Sequence, residues 1–340
     1  MAYHFRNLVF EGGGVKGIAY MGALRVLEAN GILGDLKRVG GTSAGAITAL
    51  LLGLNYTLAE IEKILVDLDF NRFLDDSRGL MRDAKRLMED FGWFKGDFFR
   101  DWAADLIKTK TGNSEATFND IDRLAGQYGF KRMYFSGTNL STGFSEVFSV
   151  DHTPRLCVAD AVRISMSIPL FFAAKRGLRG DVYVDGGLLD NYPVKLFDRE
   201  KYVENFSTTP AYYASHNASL DGRNISDYVY NQETLGFRLD SGREIAVFRD
   251  QAEPVRYNID SFYTYARSLI TTILESQQNQ HLHEDDWHRT IYIDTLGVGT
   301  TDFDLGQEKK LALIDSGRKG AEAYFEWYNT ADCVLNRPDK

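Results

Sequence analysis

Only two cysteines, Cys157 and Cys333, occur in 340 residues, which excludes a disulfide framework and favours a reducing compartment. Basic residues are in deficit: 39 Lys and Arg against 48 Asp and Glu leave a net charge of −9, the wrong sign for binding a phosphate backbone. No nucleic-acid partner is expected, and any approach to an anionic bilayer must rely on a local basic or apolar patch. No window reaches the roughly 18 uninterrupted apolar residues of a membrane span. Residues 1–7 hold His4 and Arg6 where a signal peptide would have an apolar core. A soluble, cytoplasmic protein is expected, although export without a hydrophobic leader leaves no mark in a sequence. Proline is scarce too, at 6 against 31 glycines. With no repeat, low-complexity tract or clear linker, 1–340 reads as a single domain of ordinary globular composition.

What is present is a rhythm. Residues 8–10 form a short apolar run ended by glycines, and read as a buried strand. Residues 18–30 read as a helix ended by Gly31, 36–39 as a second strand, and 44–54 as an almost wholly apolar, buried helix. Strand, glycine loop and helix, repeated, is the pattern of a layered α/β sheet. Further strands are expected at 133–138, 146–150, 182–184 and 291–293, and helices at 57–69, 261–281 and 309–328. A helix start lies in 160–174, ahead of Pro169. Residues 71–113 mix charges with Phe91, Trp93, Phe94, Phe98, Phe99 and Trp102. They read either as helical packing outside the sheet or as a membrane-facing cap beside a site. The polar, tyrosine-rich stretch 201–260 reads as an elaboration on the one domain.

Two glycine-framed segments carry the chemistry. Gly41-Thr-Ser-Ala-Gly45 has the form G-x-S-x-G between an expected strand and helix, the setting of a nucleophile elbow. Ser43 is the candidate nucleophile, and the start of the following helix favours a developing oxyanion. Glu11-Gly-Gly-Gly-Val-Lys-Gly17 offers consecutive backbone N–H groups where negative charge is stabilised. Asp185-Gly186-Gly187 places an unshielded carboxylate at another strand end, where ligand chemistry gathers in open α/β sheets.

Competing readings fall short. Gly12-x-Gly14-x-x-Gly17 fits a dinucleotide fingerprint, but the next strand ends in Val39-Gly40-Gly41 rather than an acidic residue. A P-loop is excluded because Ile18-Ala19 stands where Lys-Ser/Thr is required. His281-x-His283 with Glu284, Asp285 and Asp286 reads as a solvated helix end, not a metal site. No calcium-loop pattern is visible, and neither metal nor cofactor is expected. A Ser-Asp-His triad using His288 remains formally open, but that fold sets several strands before its nucleophile and Ser43 follows only two.

Together, EGGGVKG at 11–17, GTSAG at 41–45 and DGG at 185–187 resemble the patatin-like phospholipase family. Supporting stretches are 138–143, 161–169 and 190–193, and weaker similarity runs through 233–236 and 313–325. The resemblance implies a three-layer α/β/α sandwich around a mainly parallel central sheet. It implies a lipid acyl hydrolase with a Ser43–Asp185 dyad and no histidine base. Gly12, Gly13, Gly14, Lys16 and Gly17 would form the oxyanion loop, with the N–H groups of Gly13, Gly14 and Ala44 as donors. Gly41 and Gly45 would frame the elbow, and Gly186 and Gly187 the Asp185 turn. Lys16 would either add positive potential there or point to solvent. The implied substrate is a phospholipid or lysophospholipid met at a membrane surface. Such a site can stay latent until a protein activator or a membrane opens it, with 71–113 or 201–260 as the gate. An acyltransferase using the same acyl-enzyme and a non-catalytic lipid-binding module are the alternatives.

Overall fold

The computed structural model describes residues 3–69, 72, 91–177, 179–219, 225–240, 258–261, 264–265, 268–269, 272–273, 284–300, 302–330 and 336. The strands are β1 (Asn7–Phe10), β2 (Arg38–Gly41), β3 (Gly92–Phe94), β4 (Arg132–Asn139), β5 (Phe144–Phe148) and β6 (Leu170–Phe172). They continue with β7 (Lys175–Arg176), β8 (Val182–Asp185), β9 (Ser207–Thr208), β10 (Tyr230–Asn231), β11 (Thr234–Asp240) and β12 (Thr290–Asp294). The helices are α1 (Tyr20–Ala29), α2 (Ala44–Gly53), α3 (Leu58–Asp67), α4 (Asp97–Thr111), α5 (Phe118–Tyr128), α6 (Val158–Ser165), α7 (Ala211–Ala218) and α8 (Gln307–Thr330). An eight-stranded sheet runs β12-β11-β1-β2-β4-β8-β7, with β5 also on β4. Neighbours from β12 to β4 are parallel, whereas β8, β7 and β5 pair antiparallel. The fold is α/β around a mostly parallel sheet, as expected.

Burial explains the layers. All four β1 residues are buried, as a strand covered on both faces must be. Leu8 and Phe10 join the main core with Leu24, Leu50 and Leu313 from α1, α2 and α8. Val9 faces the other way, onto Tyr134, Phe197 and Tyr202. Helix α2 is buried along its whole length behind β1, β2 and β4, which its almost wholly apolar composition foretold. Helix α3 starts at a capping box in which Thr57 and Glu60 satisfy each other's backbone N–H groups.

Two expectations need revision, and burial favours one of two readings left open. Strand β11 lies inside the stretch 201–260 and pairs with both β1 and β12, so that part of the stretch is central sheet. Its alternation of Leu235, Phe237 and Leu239 was masked by Arg238 and by polar flanks, yet all seven residues are buried. The expected helix 18–30 begins as a 3-10 turn over Gly14–Ala19, and regular α-helix starts only at Tyr20. Helix α4 turns Phe99, Ala103 and Ile107 into the core, which favours packing over a cap for 97–111. Most of the expected helix 261–281, and most of 71–90, lies outside the described residues.

The register of β4 decides where the site forms. Phe135 pairs with Gly41 of β2 and with Phe148 of β5, while Gly137 pairs with Asp185 of β8 and with Glu146 of β5. A strand has two edges, so β2 and β8 share the edge opposite β5. They run toward each other along it. Their carboxyl ends, Gly41 and Asp185, therefore meet only two β4 residues apart.

Candidate active site

Ser43 follows β2 with φ 53° and ψ −125° and is buried. Positive φ is unusual for a non-glycine residue, and this strained turn is what lifts a side chain out of the strand-to-helix path. The flanking glycines are sterically required: a Cβ on Gly41 would lie 2.5 Å from the carbonyl carbon of Gly45. The glycine loop passes directly over this elbow. A Cβ on Gly12 would come within 3.1 Å of the Ser43 Cβ.

The loop's donors remain available. Gly12 N–H donates to Asn191 O at 3.0 Å and Val15 N–H to Thr300 O at 3.3 Å. Among the described residues the N–H groups of Gly13, Gly14 and Ala44 have no such acceptor. Lys16 is mostly buried, and its Cε lies 3.4 Å from the position of a Cβ on Gly13. Its side chain therefore folds back along the loop instead of entering solvent.

Asp185 is buried, and its Oδ1 accepts the Gly187 N–H at 2.7 Å. Burial pushes its carboxyl up to about 7, against the Gly187 N–H and the Ser43 hydroxyl, which both favour the charged form. The serine is thus close enough to be felt. No hydrogen bond of ordinary geometry joins the pair, however: Asp185 Oδ2 has no partner among the described residues, and Ser43 Oγ lies 3.7 Å from Met166 Sδ. Catalytic hydrogen bonds are often long in an unliganded site.

The sequence did not assign the groups that hold this pair. Ser165 Oγ accepts the Ser43 N–H at 3.1 Å, and Ser167 O accepts the Asp185 N–H at 2.8 Å. Three consecutive residues, with Met166 between the serines, thereby grip both sides of the site. Arg163 Nη1 donates to Ser167 Oγ at 2.5 Å and fixes that segment. On the loop side, the buried Glu11 accepts Leu239 N–H at 2.6 Å and Asn191 Nδ2 at 3.3 Å, and the same Nδ2 reaches Gly12 O at 3.1 Å. Burial raises the Glu11 carboxyl to about 7, opposed chiefly by Arg238. The only signal for these braces was their place in the stretches 11–17, 161–169 and 190–193 that carried the resemblance.

An apolar cleft of about 20 Å³ adjoins the loop, lined by Gly14, Val15, Ile47, Met166, Ile168, Phe172 and Phe303 among others. A much larger cavity, about 500 Å³, lies elsewhere beside His4, Phe206, His288 and Trp327; size alone would misplace the chemistry. His288 precedes β12, three strand spacings of about 4.8 Å from β2 and at the opposite strand end from Ser43. It is out of reach as a base. Glu115, Cys157 and Asp160 converge, but Arg100 pairs with both carboxylates at 2.6 and 2.9 Å; His281 and His283 lie outside the described residues. No helix of the described residues is long and apolar enough to cross a membrane.

Residues 8–198 match the family described as patatin-like phospholipase. The uncharacterized protein YqhO of Bacillus subtilis is 30% identical over 332 residues, covering 94% of this chain and 97% of that protein. A probable lipid hydrolase, 463L of Invertebrate iridescent virus 6, is 22% identical over 193 residues, covering 57% of this chain and 63% of its own. In the crystal structure of VipD from Legionella pneumophila a similar fold covers 95% of this chain and 67% of VipD, at 18% identity and a TM-score of 0.58. A match over more than half the sequence, and a relative alike from end to end, establish that this chain belongs to the patatin-like phospholipase family.

Proposed function

We propose that the protein is a serine acyl hydrolase that cleaves phospholipid or lysophospholipid esters with Ser43 as nucleophile and Asp185 as its only base. The observation that carries this reading is the burial of Asp185 with an unpartnered Oδ2 beside an elbow serine, under N–H groups that lack acceptors. Ser43 Oγ attacks the ester carbonyl and its proton passes to Asp185. The tetrahedral oxyanion is held by the N–H groups of Gly13, Gly14 and Ala44; one such donor is worth roughly 3–4 kcal/mol of barrier. The intermediate collapses, its bond to the alcohol breaks, and the departing oxygen takes the proton from Asp185. The regenerated carboxylate then deprotonates the water that attacks the acyl-Ser43 ester, and returns that proton to Ser43 Oγ as the fatty acid leaves. The neighbouring Lys16 charge adds to the field on the oxyanion. In this reading residues 1–340 act as one catalytic domain, because β11 and β12 complete the sheet whose β1 leads into the glycine loop.

A fluorophosphonate probe is expected to label the wild type and not Ser43→Ala, with fatty acid released from mixed phospholipid vesicles by the wild type alone. Labelling that survives Ser43→Ala would sink the assignment. Product analysis with added alcohol or lysolipid separates hydrolysis from acyl transfer, which shares the first half-reaction. The pH profile is a second test. Asp185 must be ionised to accept a proton, and its carboxyl sits at about 7. The rate, as kcat/KM on a soluble ester, should therefore rise about tenfold per pH unit below 7 and level off above it. A flat profile between pH 5 and 8 would exclude Asp185 as the base.

A further inference from the structure

The end of the sheet that carries Ser43 also carries two hairpins zipped into one projection. Leu140 N–H donates to Val182 O at 2.8 Å, Val182 N–H to Ser141 Oγ at 3.0 Å, and Asn139 Nδ2 to Asp181 Oδ2 at 3.2 Å. These bonds join the β4–β5 turn to the β7–β8 turn. The register places both beyond the site: β8 runs from Val182 at the projection to Asp185, a rise of about 10 Å.

The composition of this projection is unusual for a chain of net charge −9. Phe144 is 70% exposed and Leu140 49%. Neither belongs to the core cluster, and Phe144, which opens β5 directly after the turn, is the most exposed large apolar side chain among the described residues. Lys175, Arg176 and Arg179 stand on the adjoining hairpin, Arg176 and Arg179 exposed, and none forms an ion pair among the described residues. Arg176 instead lies 5.7 Å from the ring of Phe91, itself 46% exposed, which extends the same patch. The nearby acids are turned to neutral donors: Glu146 accepts from Asn139 at 2.8 Å and from Tyr183 at 3.1 Å.

We propose that this paired hairpin tip is a membrane-docking surface for an anionic phospholipid bilayer, with Leu140 and Phe144 entering the acyl boundary and Arg176 and Arg179 meeting the headgroups. Charge complementarity selects the occupant. An acidic protein needs this local cationic cluster only if it brings its own negative surface, whereas a bilayer satisfies both halves of the patch at once: apolar tips beside cations, set at one level. The surface also explains how a net-acidic protein meets anionic lipid, since fields from remote acids are screened within about 8 Å at physiological salt. The proposal rests on the acyl-hydrolase reading for its purpose, but not for its test.

Co-sedimentation of the full chain with phosphatidylcholine vesicles, with and without phosphatidylglycerol, reads the surface without requiring turnover. Leu140→Ser with Phe144→Ser should lower partition to both vesicle types at least tenfold. Arg176→Glu with Arg179→Glu should remove the preference for the anionic vesicles, and high salt should do the same to the wild type. Thermal melts should be unchanged, because these side chains are exposed, and hydrolysis of soluble 4-nitrophenyl butyrate should stay within twofold. Partition unaltered in both variants overturns the proposal, including the case in which the patch serves an acidic protein. A wild type that binds vesicles through these residues but never hydrolyses the soluble ester would sink the hydrolase reading and leave the docking surface standing.

Discussion

Asp185→Asn is expected to lose turnover by on the order of 10³-fold or more, within the range that a sole general base supplies, while making the protein more stable at neutral pH. The two effects have one cause. The carboxylate is buried with one oxygen unpartnered, an arrangement useful for taking a proton and costly for folding. In the unfolded chain the group titrates near its ordinary value of 3.8, and in the folded protein at about 7. Between those values the folded state holds a proton that the unfolded state has released, so stability falls as pH rises through the window and stays low above it. Asparagine removes that loss and keeps an oxygen for the Gly187 N–H. The variant's advantage should be absent near pH 4 and grow to at most about 4 kcal/mol above pH 7. Urea melts at pH 4.5, 6 and 8, run beside fatty-acid release, test both halves. A variant less stable than the wild type at pH 8, or one that still turns over, contradicts the account. His288→Ala serves as the control and should retain activity.

Arg289→Met is expected to destabilise the fold by about 3–5 kcal/mol, the scale for breaking one side of a buried ion pair. Arg289 is buried and grips Asp198 through Nη1 at 2.5 Å and Nη2 at 2.7 Å, and Asp286 through Nη2 at 2.7 Å. Tyr213 OH donates to Asp198 Oδ2 at 2.6 Å, and the Asn231 N–H reaches Oδ1 at 3.3 Å. Removing the guanidinium leaves the buried Asp198 carboxylate without its cation, while Asp286 keeps Lys195 Nζ at 3.5 Å. These residues come from 198, 213, 231, 286 and 289, so the network pins the end of the family-matching segment to the elements that add β11 and β12. Adding Asp198→Asn to the variant should recover part of the loss, because the carboxylate left without its cation is gone. Chemical denaturation reads both. A loss below about 1 kcal/mol, the scale of a surface pair, would mean that the cluster is hydrated.

Much of the site was legible because its signals are local. Glycines at 41 and 45 are demanded by the contact between those two residues, and the strand before them and the apolar helix after them are written in consecutive letters. The same holds for β1, α2 and α8. Strand β11 was hidden for a local reason as well: its buried Arg238 pairs with Asp240 at 3.0 Å, and a charge satisfied by its neighbour reads as surface when only the sequence is seen. The braces were less legible still. Ser165, Ser167, Glu11 and Asn191 are ordinary residues whose roles come from partners remote in the chain, and nothing in their spacing announces a hydrogen bond.

What the amino-acid order determined by itself was the chemistry on offer: a serine on a turn that excludes side chains, a run of bare peptide groups, a carboxylate followed by two glycines, and too little basic charge for nucleic acid. Steric limits and hydrogen-bonding capacity belong to each residue wherever it ends up. Only the tertiary structure decided that Asp185, not His288, comes to Ser43, because two strands approach head-on along one edge of β4, and pairing register between distant segments is fixed by the packing of the whole sheet.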